Sequence, residues 1–472
     1  MKTLKNYFFT AGYQLFSIIV PLITMPYVSR ILGPEGLGIN NSTFSFAQIF
    51  VIVSMLGTQK YGSLCISKYR EDKDKIYENF SGIYSNQLIL NILMFFLYNI
   101  IVYIFFEEYL IIYFTQSIYL LSSAIDVSWY FQGKEKFDKV VIRSIFAKIL
   151  GLILIFCLVK TEADIGLYTG ILAGSMLLSN IIMFYTLFKT ELQLTKLKIK
   201  LNRIIFGKTF SLFLPTAILQ ITLQATPILI AILLSQKDVG FYSNALKIIS
   251  IPMYLVTSLI TVLFPRIVFE NTKLNSNSKE LIKSTFHLLI CLLFPLILGL
   301  SLLSKNLVVW FFGKDFIPVQ YLIIILTGKI LPTTINEFIG NLLMIPYGET
   351  KRYTSSLTIG SIMSLALGVL FSLYGGIVGM TIGLVLGDYC TLIILLIYNQ
   401  QKLKNIFSFK VLICIFNSIV MGLSILVVTS HVNSVGPLLT VLQIFVGLIT
   451  YGILTWWNAK DIVEEGLKIF KN

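Results

Sequence analysis

Charged residues are scarce in this sequence, at 13% of 472 against about a quarter in a typical soluble domain. That shortage excludes an ordinary water-facing globular surface. Histidine is nearly missing: only His287 and His431 occur, and they belong to no metal-spaced cluster. The five cysteines, Cys65, Cys157, Cys291, Cys390 and Cys414, include no CxxC pair. Neither a disulfide framework nor a thiolate metal site is therefore indicated. No GxxxxGK[ST] run occurs, which excludes a built-in P-loop ATPase, and no cofactor is expected. Long polar connections are lacking too. The longest are 60–79, 189–208 and 270–283, none of them large enough for a soluble domain. Asp72-Lys73-Asp74 matches the DxD of many glycosyltransferases, but it has no nucleotide-binding domain beside it and reads as a solvated charge run. Asp126 offers a catalytic acid, with no second carboxylate placed to pair with it.

What fills the chain is apolar: 56% of residues are hydrophobic and the mean hydropathy is +0.83. A helix needs about 20 apolar residues to span a bilayer, and roughly fourteen such spans can be marked out. Gly33-Pro34-Glu35-Gly36, Gln132-Gly133-Lys134 and Gly375-Gly376 punctuate them. The basic residues fall in every second connection. Of 37 Lys and Arg, 29 lie in the segments that would then face the cytoplasm, as the positive-inside rule requires. An even number of spans puts both termini there. The net charge of +14 is thus topological, and it implies contact with anionic lipid. It is dispersed over eight short segments rather than gathered on one face, so nucleic acid is not expected as a partner. The first apolar run is too long for a signal core and lacks a small-residue cleavage site, so it reads as a retained helix. The expected class is an all-α polytopic membrane protein.

A weak internal repeat divides the spans. Leu32-Gly33-Pro34-Glu35-Gly36-Leu37-Gly38 is echoed 202 positions later by Leu234-Ser235-Gln236-Lys237-Asp238-Val239-Gly240. Gly133-Lys134-Glu135-Lys136 is echoed 215 positions later by Gly348-Glu349-Thr350-Lys351. Both relate span n to span n+6. Six is even, so the halves share one orientation and form parallel six-helix repeats about an axis along the membrane normal. The expected organisation is an N-terminal lobe at 1–200, a C-terminal lobe at 201–400 and two additional spans at 401–472.

Three lysines break the charge pattern: Lys148, Lys247 and Lys329 fall inside apolar spans. By helical rise they lie about 12–15 Å from the nearer span end, too deep to snorkel easily. An ionisable residue at such depth costs about 2.5–3.5 kcal/mol and faces a partner or a wet cavity. Lys247 shares a stripe with Ser243, Ser250, Tyr254, Ser258 and Thr261; Lys329 shares one with Thr333, Asn336 and Gly340. Thr216, Gln220, Gln224 and Pro227 line one face of span seven, and Thr10, Gln14, Ser17, Pro21 and Thr24 one face of span one. Such stripes in corresponding helices are what a polar lumen requires. Packing is the other reading for each residue, because Ser, Thr and Gln also join helices and a buried Lys can pair with Glu337 or Asp388. Arg30, near the outer end of span one, reads equally as an interfacial anchor. Pro21, Pro26, Pro215 and Pro227 would let the first helix of each lobe bend.

The segment from Gln14 through Pro21-Leu22-Ile23-Thr24-Met25-Pro26-Tyr27-Val28-Ser29-Arg30-Ile31-Leu32-Gly33 resembles the opening of the polysaccharide flippases, the Wzx-type repeat-unit transporters. Leu56-Gly57-Thr58-Gln59-Lys60-Tyr61-Gly62 and Asp126-Val127-Ser128-Trp129-Tyr130-Phe131-Gln132-Gly133-Lys134 strengthen the likeness, as do Val239-Gly240-Phe241-Tyr242 and Leu263-Phe264-Pro265-Arg266-Ile267. The resemblance runs from about Asn6 to Arg352. It implies a MATE-like two-lobe bundle with alternating access, in the superfamily that also holds the MATE drug exporters and the lipid II flippases. It implies as cargo an undecaprenyl-diphosphate-linked oligosaccharide, moved from inner to outer leaflet for capsule or O-antigen-type polysaccharide. The bacterial cytoplasmic membrane is then the location, and polymerase or export machinery the partner. The family's cationic cavity maps by residue type onto Arg30, Lys148, Lys247 and Lys329. Glu337 and Asp388 are candidates for ion coupling. The rival expectations are a MATE-type cation antiporter, which would want acidic lumen residues, a scaffold within an export complex, and a membrane polymerase or acyltransferase. The last would need a large loop or an intramembrane His/Asp constellation, and neither is visible.

Overall fold

In the computed structural model, residues 2–193, 195, 197, 201–272, 277–404, 406, 409–432, 436–462 and 464 are described. No strand occurs among them. A chain crossing hydrocarbon must satisfy its own backbone groups, which an α-helix does within one segment. The chain divides into two compact units, Met1–Gly240 and Phe241–Asn472.

In the first unit, α1 (Lys2–Met55) carries the first two expected spans. Its 54 residues would reach about 80 Å if straight, far beyond a hydrocarbon core of about 30 Å. Gly33 breaks it, with φ 64° and ψ −179°. Glycine alone takes that conformation at little cost, and Pro34, lacking an N–H, is suited to open the next helical run. A second left-handed glycine, Gly57 at φ 71°, precedes α2 (Thr58–Lys68). Next comes α3 (Lys73–Phe105), capped by Asp72, whose carboxylate accepts from the Lys75 N–H at 3.1 Å. That N–H, with the Lys75 ammonium, holds the Asp72 carboxyl below the usual carboxylate range. The DxD sequence is therefore a helix cap.

Span four arrives in three pieces: α4 (Leu110–Gln116), α5 (Ile118–Ala124) and α6 (Ser128–Gly133). α7 (Phe137–Leu158) and α8 (Ile165–Thr190) pack against each other, and α9 (Arg203–Leu233) packs along α1.

α10 (Gln236–Thr272) leads into the second unit, followed by α11 (Asn277–Phe311) and α12 (Val319–Phe338). α12 runs on through a π-helical turn at Ile339–Met344 and a 3-10 turn at Ile345–Tyr347. α13 (Thr350–Tyr398) holds two expected spans and breaks at Gly376, φ 54° and ψ −137°. Its two arms then pack on each other through small residues. A Cβ on Gly383 would strike the Leu367 carbonyl, one on Gly387 would strike Ser364, and one on Gly360 would strike Thr391. Ser364 Oγ donates to the Leu384 carbonyl at 2.9 Å across the same seam. This is the small-residue packing that brings membrane helices close. α14 (Gln400–Leu403) precedes α15 (Phe409–His431) and α16 (Pro437–Asn458), which pack together on α11.

Eleven helices among the described residues are long and apolar enough to cross a membrane, against fourteen expected spans. Ile19–Lys68 and Thr350–Tyr398, 50 and 49 residues long, each carry two expected spans on either side of a glycine break. The expected seventh span lies in α9, whose 31 residues are long enough for a crossing and of which Ala217–Leu233 is the apolar stretch among the described residues.

Candidate functional site

The second unit holds two of the deep lysines. Lys247 is half-buried on α10. Among the described residues no charged group lies within electrostatic reach of it and it makes no ion pair. Its stripe neighbours do not supply the missing charge. Ser250 donates to the Lys247 main-chain carbonyl at 2.7 Å and Ser258 to that of Leu255 at 2.7 Å, so these hydroxyls spend their protons on their own helix. Ser243 is buried, whereas Tyr254 is 61% exposed. The stripe therefore runs from the protein interior to an open face, with an uncompensated ammonium between.

Lys329 is different. Its Nζ lies 3.0 Å from Asp388 Oδ2, with side-chain exposures of 15% and 24%. Helical spacing explains the meeting. Lys329 and Asn336 are seven residues apart on the α12 face that meets the second arm of α13. Asn336 Nδ2 donates to the Asp388 main-chain carbonyl at 3.4 Å. Further along the same face a Cβ on Gly340 would overlap the Tyr353 ring, so glycine is what lets α13 approach there. Tyr242, 3% exposed, sits within electrostatic reach of both charges, a neighbour that the stripe reading missed. Glu337 is half-buried on the same helix and makes no ion pair with Lys329.

In the first unit, Lys148 is half-buried on α7 and Arg30 is exposed on α1. Thr24 Oγ1 donates back to the carbonyls of Val20 and Pro21 at 3.2 and 3.1 Å. On α9, Gln220 is exposed and Gln224 half-buried. The side chains of Thr10, Gln14, Ser17 and Thr216 lie outside the described residues.

Sequence reasoning missed a buried polar knot in this unit. Trp129 Nε1 donates to Gln87 Oε1 at 3.1 Å, and Gln87 Nε2 donates to the carbonyls of Ser123 and Asp126 at 2.8 and 2.9 Å. Asp126 Oδ1 accepts from the Ser128 N–H at 2.9 Å, while Gln59 reaches its other oxygen at 3.3 Å. Ser123 donates to Asn91. The knot satisfies the backbone groups freed where span four breaks between α5 and α6. Asp126 thus takes up the first free N–H of α6 from just outside the helix. Arg143 is 8% exposed and donates to the Ser179 carbonyl and Asn180 Oδ1 at 2.7 and 2.8 Å. Gln87 and Asn91, polar and four apart in an apolar helix, were the available signal for the knot.

Broken apolar helices, with no strand among the described residues, make this a polytopic helical membrane fold, and solved structures share it. “Lipid II flippase MurJ, inward closed conformation” matches with a TM-score of 0.74 at 16% identity, covering 96% of this chain and 99% of that one. A multidrug resistance MATE family transporter of the MOP superfamily, inward-facing, matches with a TM-score of 0.63 at 15% identity, covering 84% and 95%. The chain belongs to the polysaccharide biosynthesis protein family, which matches residues 3–269. A relative in Escherichia coli (strain K12), named as an O-antigen transporter, is 24% identical over 375 residues, covering 77% of this chain and 88% of that one.

Proposed function

We propose that this protein is a flippase for lipid-linked oligosaccharide, moving undecaprenyl-diphosphate-linked repeat units from the inner to the outer leaflet of the cytoplasmic membrane. The single observation that carries the reading is Lys247, an ammonium within a span without a counter-charge among the described residues. Leaving such a charge unpaired in the membrane costs about 2.5–3.5 kcal/mol, which an anionic ligand removes. A diphosphate is such a ligand, and its lipid tail stays in the bilayer throughout. Lys329 is the second cation for it, with Arg30 and Lys148 as further candidates. The family and the name of the Escherichia coli relative support a saccharide cargo. The fold alone does not separate a flippase from a drug exporter, since both kinds of structure match. Charge does: a cationic drug is repelled by Lys247. An inside-negative potential favours outward passage of the anion, roughly two charges across 100 mV amounting to about 4–5 kcal/mol.

In this reading both termini are cytoplasmic, the lobes are 1–200 and 201–400, and 401–472 is an appendage. The product is released to polymerase or export machinery for capsule or O-antigen-type polysaccharide. Purified protein in liposomes tests the proposal. A fluorescent undecaprenyl-diphosphate-linked oligosaccharide placed in one leaflet is expected to reach the other, faster under a potential negative on the side of origin. Folded protein that leaves the lipid in place while moving cationic dyes would overturn it in favour of a drug exporter.

A further inference from the structure

Asp388 makes a poor structural ion-pair partner. A buried pair repays its desolvation only when further hydrogen bonds satisfy the remaining groups. Here the Lys329 ammonium, 3.0 Å from the buried Asp388 Oδ2, is the one donor that reaches this oxygen among the described residues. The nearby Asn336 amide goes to the Asp388 main chain instead, and Asn336 Oδ1 is itself buried without a hydrogen-bond partner among the described residues. The carboxylate is therefore held by one charge and by little else. Its 24% side-chain exposure lets water solvate it on release. Lys247 carries no such partner, so the two lysines are not equivalent.

We propose that Asp388 is a displaceable counter-ion, occupying Lys329 while the carrier is empty and giving way to the cargo's phosphate when it is loaded. The inference rests on the flippase reading and adds a division of labour to it. Lys247 waits for cargo; Lys329 is neutralised alternately by cargo and by Asp388. A carrier must return empty after each delivery, and each further uncompensated cation beside Lys247 adds to the cost of that return. Asp388 is thus a positioning residue for the return step rather than for cargo binding.

Two modes of transport in liposomes separate these roles. Net movement, with fluorescent undecaprenyl-diphosphate-linked oligosaccharide in one leaflet and none in the other, requires the empty carrier to return. Exchange, with unlabelled lipid waiting in the opposite leaflet, requires only the loaded carrier. Asp388→Asn is expected to lower net movement at least about tenfold, as an uncompensated charge at this depth implies, while exchange stays within about twofold. Asp388→Glu is expected to retain both modes. The double variant Lys329→Met with Asp388→Leu leaves no charge to compensate, so it is expected to regain net movement relative to Asp388→Asn, at weaker apparent affinity. It also checks that Asp388→Asn did not merely misfold. Equal losses of both modes in Asp388→Asn, or no loss of either, would overturn the proposal while leaving the flippase reading intact. A wild-type protein inactive in both modes would overturn that reading itself.

Discussion

Gly38 and Gly240 pack reciprocally: Gly38 lies against the main-chain carbonyl of Gln236, and Gly240 against that of Pro34. The separation is the same in both directions, because Gln236 follows Pro34 and Gly240 follows Gly38 by 202 positions. Each glycine thus faces the residue four positions before the other. Ser42 Oγ, donating to Gln236 Oε1 at 2.7 Å, adds a polar tie at the same place.

A methyl group at either glycine would overlap the facing carbonyl oxygen. Gly38→Ala and Gly240→Ala are each expected to destabilise by about 1–3 kcal/mol, as overpacking does. The double variant should lose less than the sum, since the first methyl already parts the two turns. Thermal unfolding of the purified protein and its three variants measures this. Additive losses would show that the two contacts are independent.

The Gln87 knot supports a prediction of the opposite kind, in which a polar group is lost. Gln87→Leu would strip partners from Trp129 Nε1 and from the carbonyls of Ser123 and Asp126. At about 1–3 kcal/mol for each buried group left unsatisfied, the variant is expected to lose several kcal/mol. Asp126→Asn should be mild, because an Asn side-chain oxygen can accept the Ser128 N–H as the carboxylate does. Transport per folded molecule is the check. An Asp126→Asn protein that is stable but inert would restore the catalytic-acid reading.

The helix breaks were legible because their cause is local. Gly33-Pro34 and Gly375-Gly376 announce positive φ and a missing donor in the residues themselves. That Lys247 and Lys329 fall inside helices long and apolar enough to cross a membrane was legible for a similar reason, since local hydropathy decides it. The partner of Lys329 was not. Glu337 and Asp388 were equally available by composition, and only the closeness of α13, granted by Gly340 and by the glycine seam between its arms, selects Asp388. The span-four knot was hidden for the same physical reason: Gln87 meets Trp129 from 42 residues away, through packing that periodicity does not encode.

If α13 crosses twice, its break faces the side opposite both of its ends. Tyr374, 89% exposed next to Gly376, should then label from outside the cell, and Lys351 and Lys402 from inside. Single cysteines at these three positions, in a background without the five native cysteines, test this with an impermeant thiol reagent. Tyr374→Cys that labels only from the cytoplasm would refute a double crossing and, with it, the cytoplasmic assignment of the C-terminus.

Lys247 is where charge and length can be separated. Lys247→Ala removes the ammonium that no described residue compensates, so the protein should fold at least as stably as before, because an uncompensated charge leaves the membrane interior. Transport should nonetheless fall by about tenfold to a hundredfold, on the order of 1.4–2.8 kcal/mol for one charge-assisted contact to phosphate. Lys247→Arg should keep most activity, since a guanidinium also pairs with phosphate, and Lys247→Gln should behave like the alanine variant. Measuring thermal stability and lipid movement on the same preparations makes the two effects run in opposite directions. If stability and transport fall together in Lys247→Ala, Lys247 is a packing residue, and the diphosphate must be held elsewhere.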